Sequence, residues 1–231
     1  MARHRREKQN GTGIKMIKLQ FKQQEYWLEK FLSFCHQRKY PNKTNIICPG
    51  DSADTLFYVV EGSVAVVLED DDGNELILTY INAGEYIGET GVFIENEERN
   101  VTVRTRSPCV IASISYKHLH NLLEGQLLAE QKDMLLYLGA QVSKRLTHAS
   151  RKVGRLAFLD IAGQIARTLL DLCKEPDAMT HPDGMQISIT RQELGKIVGC
   201  TRETAGRMLK ALEQEGLISV KGKTIVVFGT R

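Results

Sequence analysis

The stretch from Thr190 to Leu212, TRQELGKIVGCTRETAGRMLKAL, admits few folds. It spells two short helices around a glycine turn. Thr190 and Glu193 have the spacing of a capping box, in which Thr190 accepts from the Glu193 amide and Glu193 reaches back to the Thr190 amide. Leu194, Ile197 and Val198 give the first helix an apolar face. Gly199 and Cys200 end it, because glycine takes the left-handed conformation at low cost. Thr201 is a good N-cap for the second helix. There Ala205, Met208, Leu209 and Leu212 fall at i, i+3, i+4 and i+7 and share one face. Gly195 and Ala205 are small enough for the helices to cross closely, as a helix-turn-helix requires.

Arg202, Glu203, Arg207 and Lys210 lie on the other surface of that second helix. Arginine pairs with both acceptors of guanine, and glutamate accepts from the cytosine amino group. A solvated charged face would use the same residue types, so the helix alone leaves both readings open. Leu217–Val220 and Lys223–Phe228 then flank a Lys221-Gly222 turn, which reads as a hairpin. A helix-turn-helix followed by a hairpin is a winged helix, with Lys221 and Lys223 placing positive charge on the wing.

Charge is divided along the chain. Residues 17–132 carry 11 Lys/Arg against 17 Asp/Glu, and residues 133–231 carry 15 against 10. If nucleic acid is bound, the basic rear part binds it. Residues 1–16 are polar and basic and read as a disordered tail, with Met1 or Met16 as the native start. The chain shows no signal peptide and no membrane-length apolar run, so a cytoplasmic protein with no membrane partner is expected. Five scattered cysteines argue against a disulfide framework, a zinc site or an iron–sulfur cluster. No nucleophile–base pair, metal-ligand spacing or Walker loop points to an enzyme, and no metal cofactor is expected.

Ahead of the winged helix, residues 23–37 read as one amphipathic helix. Short β-rich runs follow at Thr44–Cys48, Thr55–Val60, Gly62–Glu69, Glu75–Ile81, Asn100–Thr105 and Val110–Ser115. Evenly spaced short strands indicate a jelly roll. Asp71-Asp72-Gly73-Asn74 between two apolar runs is a hairpin signal. Within this region Gly84, Gly88 and Gly91 accompany Glu89 and a later Arg99. Glycines let backbone amides approach an anion, and arginine offers a fork for phosphate oxygens. A surface loop with a rim arginine would look the same.

A helix over about residues 132–156 carries Leu135, Leu138, Val142, Arg145, Ala149, Val153 and Leu156 in a near-heptad seam. Its natural partner is a second copy about a two-fold axis. Arg145 in the seam needs a carboxylate or a phosphate ligand opposite. Leu156–Asp160 reads as a joint with Asp160 as N-cap, followed by a helix to about Cys173. The Lys174–Gly184 segment reads as an exposed loop.

On these residues the chain resembles the cyclic-AMP receptor protein (catabolite activator) group of the CRP/FNR transcription regulators. The likeness runs from about residue 28 to 231. It is densest in FLDIAGQIARTLL, PDAMTHPDGMQ and the closing GKTIVVFGTR. It implies an α+β architecture with a β-roll sensor of the cyclic-nucleotide-binding type over 17–132. A dimerisation helix over 133–157 and a winged helix-turn-helix over 158–231 would follow. It implies a homodimer in which cyclic AMP reorients the DNA-reading helices onto TGTGA-type palindromes.

Carried over residue by residue, Gly88 and Glu89 match the family's ribose-binding pair and Arg99 its phosphate arginine. Arg145 matches the long-helix arginine, and Ser150 the serine offered to the base by the partner subunit. Asn100 stands where the family has Ser or Thr, and Ala149 stands where it has a base-contacting Thr. A plant-pathogen subgroup with changes near this site responds to cyclic di-GMP, which is the alternative ligand. Constitutive DNA binding with weak ligand dependence is the other alternative. Arg202, Glu203 and Arg207 match base readers, and Thr190, Arg191 and Thr201 match phosphate contacts. Thr180, His181 and Gly184 match the surface presented to RNA polymerase. His36 and Arg38 match a second such surface, where Ser113 replaces an acidic residue.

Overall fold

The computed structural model describes residues 26–94 and 98–230. The basic tail expected at 1–16 lies outside the described residues. The first described helix, α1, covers residues 26–33 and ends there, four residues short of expectation. The chain turns at once into β1 (His36–Tyr40), a polar strand, HQRKY, without apolar alternation.

Two four-stranded antiparallel sheets follow. One has the order β1, β8 (Cys109–Ser115), β3 (Thr55–Glu61), β6 (Tyr86–Ile87). The other has β2 (Asn45–Ile47), β7 (Thr102–Thr105), β4 (Ser63–Glu69), β5 (Glu75–Asn82). The β4–β5 hairpin turns where the Asp71–Asn74 signal lies. Gly73 there has φ +80, and the Asp70 carboxylate accepts from the amides of Asp72 and Asn74. Val59, Val64, Ile81, Val103 and Ile111 pack between the sheets and are nearly solvent-free. Burial of such side chains stabilises by about 1.5–3 kcal/mol each.

A four-residue helix α2 (Thr90–Phe93) interrupts the roll, and α3 (Tyr116–Glu124) closes it. Then α4 runs 28 residues, Gln131–Phe158. Met134 and Leu138 of α4 join a core with Phe31, Leu56, Tyr86, Leu119 and Leu127. Leu138 and Arg145 are therefore not seam residues, as the near-heptad reading had them, because both turn towards this chain's own β-roll. The outward stripe is Gly139, Val142, Leu146, Ala149 and Val153, spaced 3, 4, 3, 4. Leu146, 67% exposed, is the residue that reading missed.

Asp160 caps α5 (Ile161–Leu172) by accepting from the Gly163 amide at 2.9 Å. The segment expected to be a loop instead contains β9 (Met179–His181), which pairs with β10 (Gly184–Ser188). After α6 (Arg191–Val198) and α7 (Arg202–Gln214), β11 (Ile218–Lys221) and β12 (Thr224–Phe228) complete a third sheet, ordered β11, β12, β10, β9. Ile165, Leu169, Leu194, Ala205, Leu209 and Ile225 form its core. No helix among the described residues is long and apolar enough to cross a membrane.

Candidate ligand pocket and nucleic-acid interface

Between β6 and α2 the chain makes a tight turn at Gly88, with φ +83. A Cβ there would lie 2.7 Å from Arg99 Nη1 and 3.0 Å from the Thr55 carbonyl, so glycine is required for close approach. The Tyr116 hydroxyl donates to the Gly88 carbonyl at 2.6 Å. Arg99 Nη2 donates to the Thr55 carbonyl at 2.5 Å and lies 3.4 Å from the Tyr116 hydroxyl. The Arg99 backbone is pinned as well, its amide donating to Asp51 and its carbonyl accepting from Gly50. Burial pushes the Tyr116 hydroxyl above the usual phenol range, against the opposing pull of Arg99. The phenol therefore stays a neutral donor.

Glu89 is 6% exposed and would be costly as a lone buried charge. Arg145 of α4 compensates it at 2.5 Å and also donates to the Tyr86 carbonyl. The carboxylate alternative for Arg145 is thus realised, with a partner 56 positions away in sequence. Gly88, Glu89, Arg99 and Arg145 are brought together on one side of α4. Asn100 follows on the rim and is exposed. Ser150 is not brought to the group: it sits on an outward face of α4 and donates to the Leu146 carbonyl at 2.9 Å. Tyr116 and the Thr55 carbonyl join this cluster through Gly88 and Arg99, and sequence reasoning missed them. Backbone groups leave no side-chain signal, and Tyr116 sits at a strand–helix junction that the β-pattern did not mark.

The second constellation is the α6–α7 pair. Thr190 accepts from the Glu193 amide at 3.1 Å and Thr201 from the Thr204 amide at 3.2 Å, so both N-caps form. The other half of the expected capping box does not. The Glu193 carboxylate instead accepts from the Tyr80 hydroxyl of β5 at 2.6 Å and lies 3.6 Å from Arg106. A half-buried phenol and a cation offer it more than a solvent-exposed amide does.

Gly199, with φ +78, ends α6. A Cβ on Gly195 would sit 2.5 Å from the Cys200 carbonyl. Gly195→Val should therefore destabilise the fold by about 2 kcal/mol or more, read as a fall in the urea midpoint, since backbone cannot yield as a side chain can. Arg202, Glu203, Arg207 and Lys210 are all exposed along α7, as are Thr190, Arg191 and Thr201 at the two N-termini. Positive dipole ends and exposed arginines suit a phosphate-bearing duplex. Lys221 and Lys223 flank Gly222 at the hairpin tip and are exposed.

Comparison with known proteins matches two stretches of the chain. Residues 37–126 match the family described as cyclic nucleotide-binding domain, and residues 163–228 match the Crp-like helix-turn-helix domain. The cAMP-activated global transcriptional regulator CRP of Escherichia coli O6:H1 is 57% identical over 204 residues, 88% of this chain and 95% of that protein. The chain belongs to the CRP family of transcription regulators. The CRP-like protein Clp of Xanthomonas euvesicatoria is 50% identical over 204 residues, 88% of this chain and 89% of that one. A solved structure of the c-di-GMP responsive global regulator CLP of Xanthomonas campestris superposes with TM-score 0.83 at 49% identity, covering 88% of this chain and 98% of that one. The fold expected from the resemblance is the fold observed, and the family is one of DNA-binding regulators rather than enzymes.

In this CRP-family regulator the sensor sheet touches the DNA-binding part. Glu75 of β5 accepts from Lys196 of α6 at 2.5 Å and from Arg104 at 3.0 Å. These cations hold its carboxyl below the usual range. The Arg106 guanidinium stacks 3.5 Å from the Tyr80 ring centroid and pairs with Asp177 at 3.3 Å. Asn82 donates to Glu175 at 2.8 Å. On the surface expected to meet RNA polymerase, Thr180 is exposed and His181 half-buried beside Asp183. Gly184 is buried in the sheet, where a Cβ would strike the Val227 carbonyl, so it shapes that surface without forming part of it. His36 lies directly opposite Ser113 across the β1–β8 ladder.

Proposed function

We propose that this regulator is a homodimer switched by cyclic AMP to bind TGTGA-type palindromes and to contact RNA polymerase there. One observation carries the reading: Gly88, Glu89, Arg99 and Arg145 converge although they come from a turn, a strand entry and the long helix. That set supplies what a ribose cyclic phosphate needs. Glu89 accepts from a sugar hydroxyl, Arg99 donates to the phosphate, and Arg145 keeps the Glu89 carboxylate aimed. CRP, 57% identical, is described as cAMP-activated, which supports the same ligand.

Arg202, Glu203 and Arg207 act as base readers, with Lys210, Thr190, Arg191 and Thr201 as phosphate contacts. Thr180 and His181 form the polymerase contact, with Gly184 setting the hairpin beneath them. Ser150 acts across the two-fold axis, which accounts for its distance from the pocket of its own chain. The ligand works by preferring the dimer state in which both α7 helices are correctly placed.

A second reading replaces cyclic AMP with cyclic di-GMP. It is favoured by Asn100 and Ala149 in place of the family's hydroxyl residues, and by the likeness to CLP. Calorimetric titration of the full chain with cyclic AMP, cyclic GMP and cyclic di-GMP, repeated with a TGTGA-type palindrome present, separates the two. Cyclic AMP is expected to bind at micromolar concentration and more tightly with DNA bound, by reciprocity of the coupling. Heat from cyclic di-GMP alone would replace the first reading with the second.

A further inference from the structure

A cavity of about 1010 Å³ opens between the edge strand β5, the second half of α4, and α5 with the end of α6. Gly88, Glu89, Arg99 and Asn100 do not line it. Arg145 borders both spaces, but its guanidinium is turned to Glu89 and Tyr86. The cavity also leaves out most of the outward stripe of α4: Val142, Leu146 and Val153 are not among its walls.

Its walls carry seven Lys/Arg against three carboxylates. Those carboxylates are engaged. Asp171 pairs with Arg155 at 2.5 Å, Glu175 accepts from Asn82, and Glu85 accepts from the Asn82 amide and lies 3.8 Å from Lys144. Arg151, Lys152 and Arg167 have no carboxylate within 4 Å among the described residues. Lys152 is half-buried, and among the described residues its ammonium donates to the Ile77 carbonyl at 2.6 Å. Burial, with Arg155 adding to it, lowers its pKa to about 8. A cation withdrawn from water without a counter-charge is costly, and an anion set beside it is correspondingly well held. The same cavity has apolar wall at Leu78, Leu156 and Ile197, with polar groups converging on it. This is the usual composition of a small-molecule site.

We propose that this cavity is a second ligand site, separate from the Gly88–Arg145 pocket, which takes an organic oligophosphate of the size of a nucleoside di- or triphosphate. Arg151, Lys152 and Arg167 face the phosphates, and the Leu78–Leu156 wall takes the organic part. Because the walls belong to the sensor, the long helix and the DNA-binding part together, an occupant bridges them. It therefore prefers the docked arrangement held by Glu75–Lys196 and Tyr80–Glu193.

The test is calorimetry on the full chain with inorganic tripolyphosphate and with ATP, at about 150 mM salt so that exposed charges are screened. ATP is expected to bind more tightly than tripolyphosphate. Arg151→Glu/Arg167→Glu should weaken ATP by about tenfold or more, and Lys152→Met, which keeps the bulk and removes the charge, should weaken it in the same direction. Arg99→Leu and the wing pair Lys221→Glu/Lys223→Glu should leave ATP binding unchanged. Loss of binding in the wing pair would reassign the anion to the DNA face, and loss in Arg99→Leu would reassign it to the first pocket. Either result overturns the proposal. So does unchanged affinity in Arg151→Glu/Arg167→Glu, or tripolyphosphate binding as tightly as ATP.

Discussion

Arg99→Leu should abolish ligand-dependent DNA binding while leaving a folded dimer. The guanidinium is held in place by the Thr55 carbonyl and the Tyr116 hydroxyl, and its backbone is pinned to Gly50 and Asp51. It therefore meets a phosphate with little ordering cost. A charge-assisted bidentate contact is stronger than a neutral one, and losing it costs about 3 kcal/mol, or about two powers of ten in affinity. Leucine fills the space without supplying a donor. Fluorescence anisotropy of a labelled palindrome, titrated with protein in the presence and absence of cyclic AMP, reads the loss. Sedimentation reads the dimer. A variant that still responds to cyclic AMP at wild-type concentration would remove Arg99 from the ligand site. Tyr116→Phe is the milder companion, since it removes one contact to Arg99 and leaves the salt-bridged Glu89 intact.

Leu146→Asp should dissociate the dimer. Leu146 is 67% exposed in the middle of the Gly139–Val153 stripe of α4 and has no partner helix of comparable length among the described residues of its own chain. About a two-fold axis each substitution counts twice. Two lost leucine burials amount to about 3–6 kcal/mol, and two carboxylates facing each other add to that. The dimer dissociation constant should rise by about three powers of ten or more. Sedimentation velocity at micromolar protein would then show a monomer. Affinity for a full palindrome would fall towards that for a half-site, because the two α7 helices are no longer linked. Melting temperature should change little if Leu146 serves only the interface. A dimer that survives the substitution would place the two-fold contact elsewhere.

Much of the C-terminal part was legible in the residues, because its signals are local. Thr190, Gly199 and Thr201 act within one turn of chain, and the Ala205–Leu212 periodicity needs only the helix to be read. The Asp71–Asn74 hairpin is legible for the same reason: the Asp70 carboxylate and Gly73 settle the turn before any strand packs. Elements without local signals were lost. The strand β1, HQRKY, has no alternation and exists because β8 offers it a ladder. Likewise β6, two residues long, is held by β3, and β9 by β10.

The pocket divides in the same way. Gly88 and Glu89 with Arg99 could be picked out by residue type and by resemblance, but not the state they are in. Arg145 pairing with Glu89, Tyr116 bracing Gly88 and Arg99, and Glu193 leaving its capping box for Tyr80 are contacts between residues 17 to 113 positions apart.

By itself, then, the sequence determined the winged helix, the β-rich character of the sensor and the existence of a long helix with an apolar seam. Each follows from periodicity, caps and turns, which are properties of neighbouring residues. Only the tertiary structure decided which side of α4 is which. Two apolar stripes lie side by side on that helix, and a period between 3.5 and 3.6 residues serves both. Packing of Met134 and Leu138 into the roll commits one stripe inward, carries Arg145 to Glu89, and leaves Val142, Leu146 and Val153 facing out.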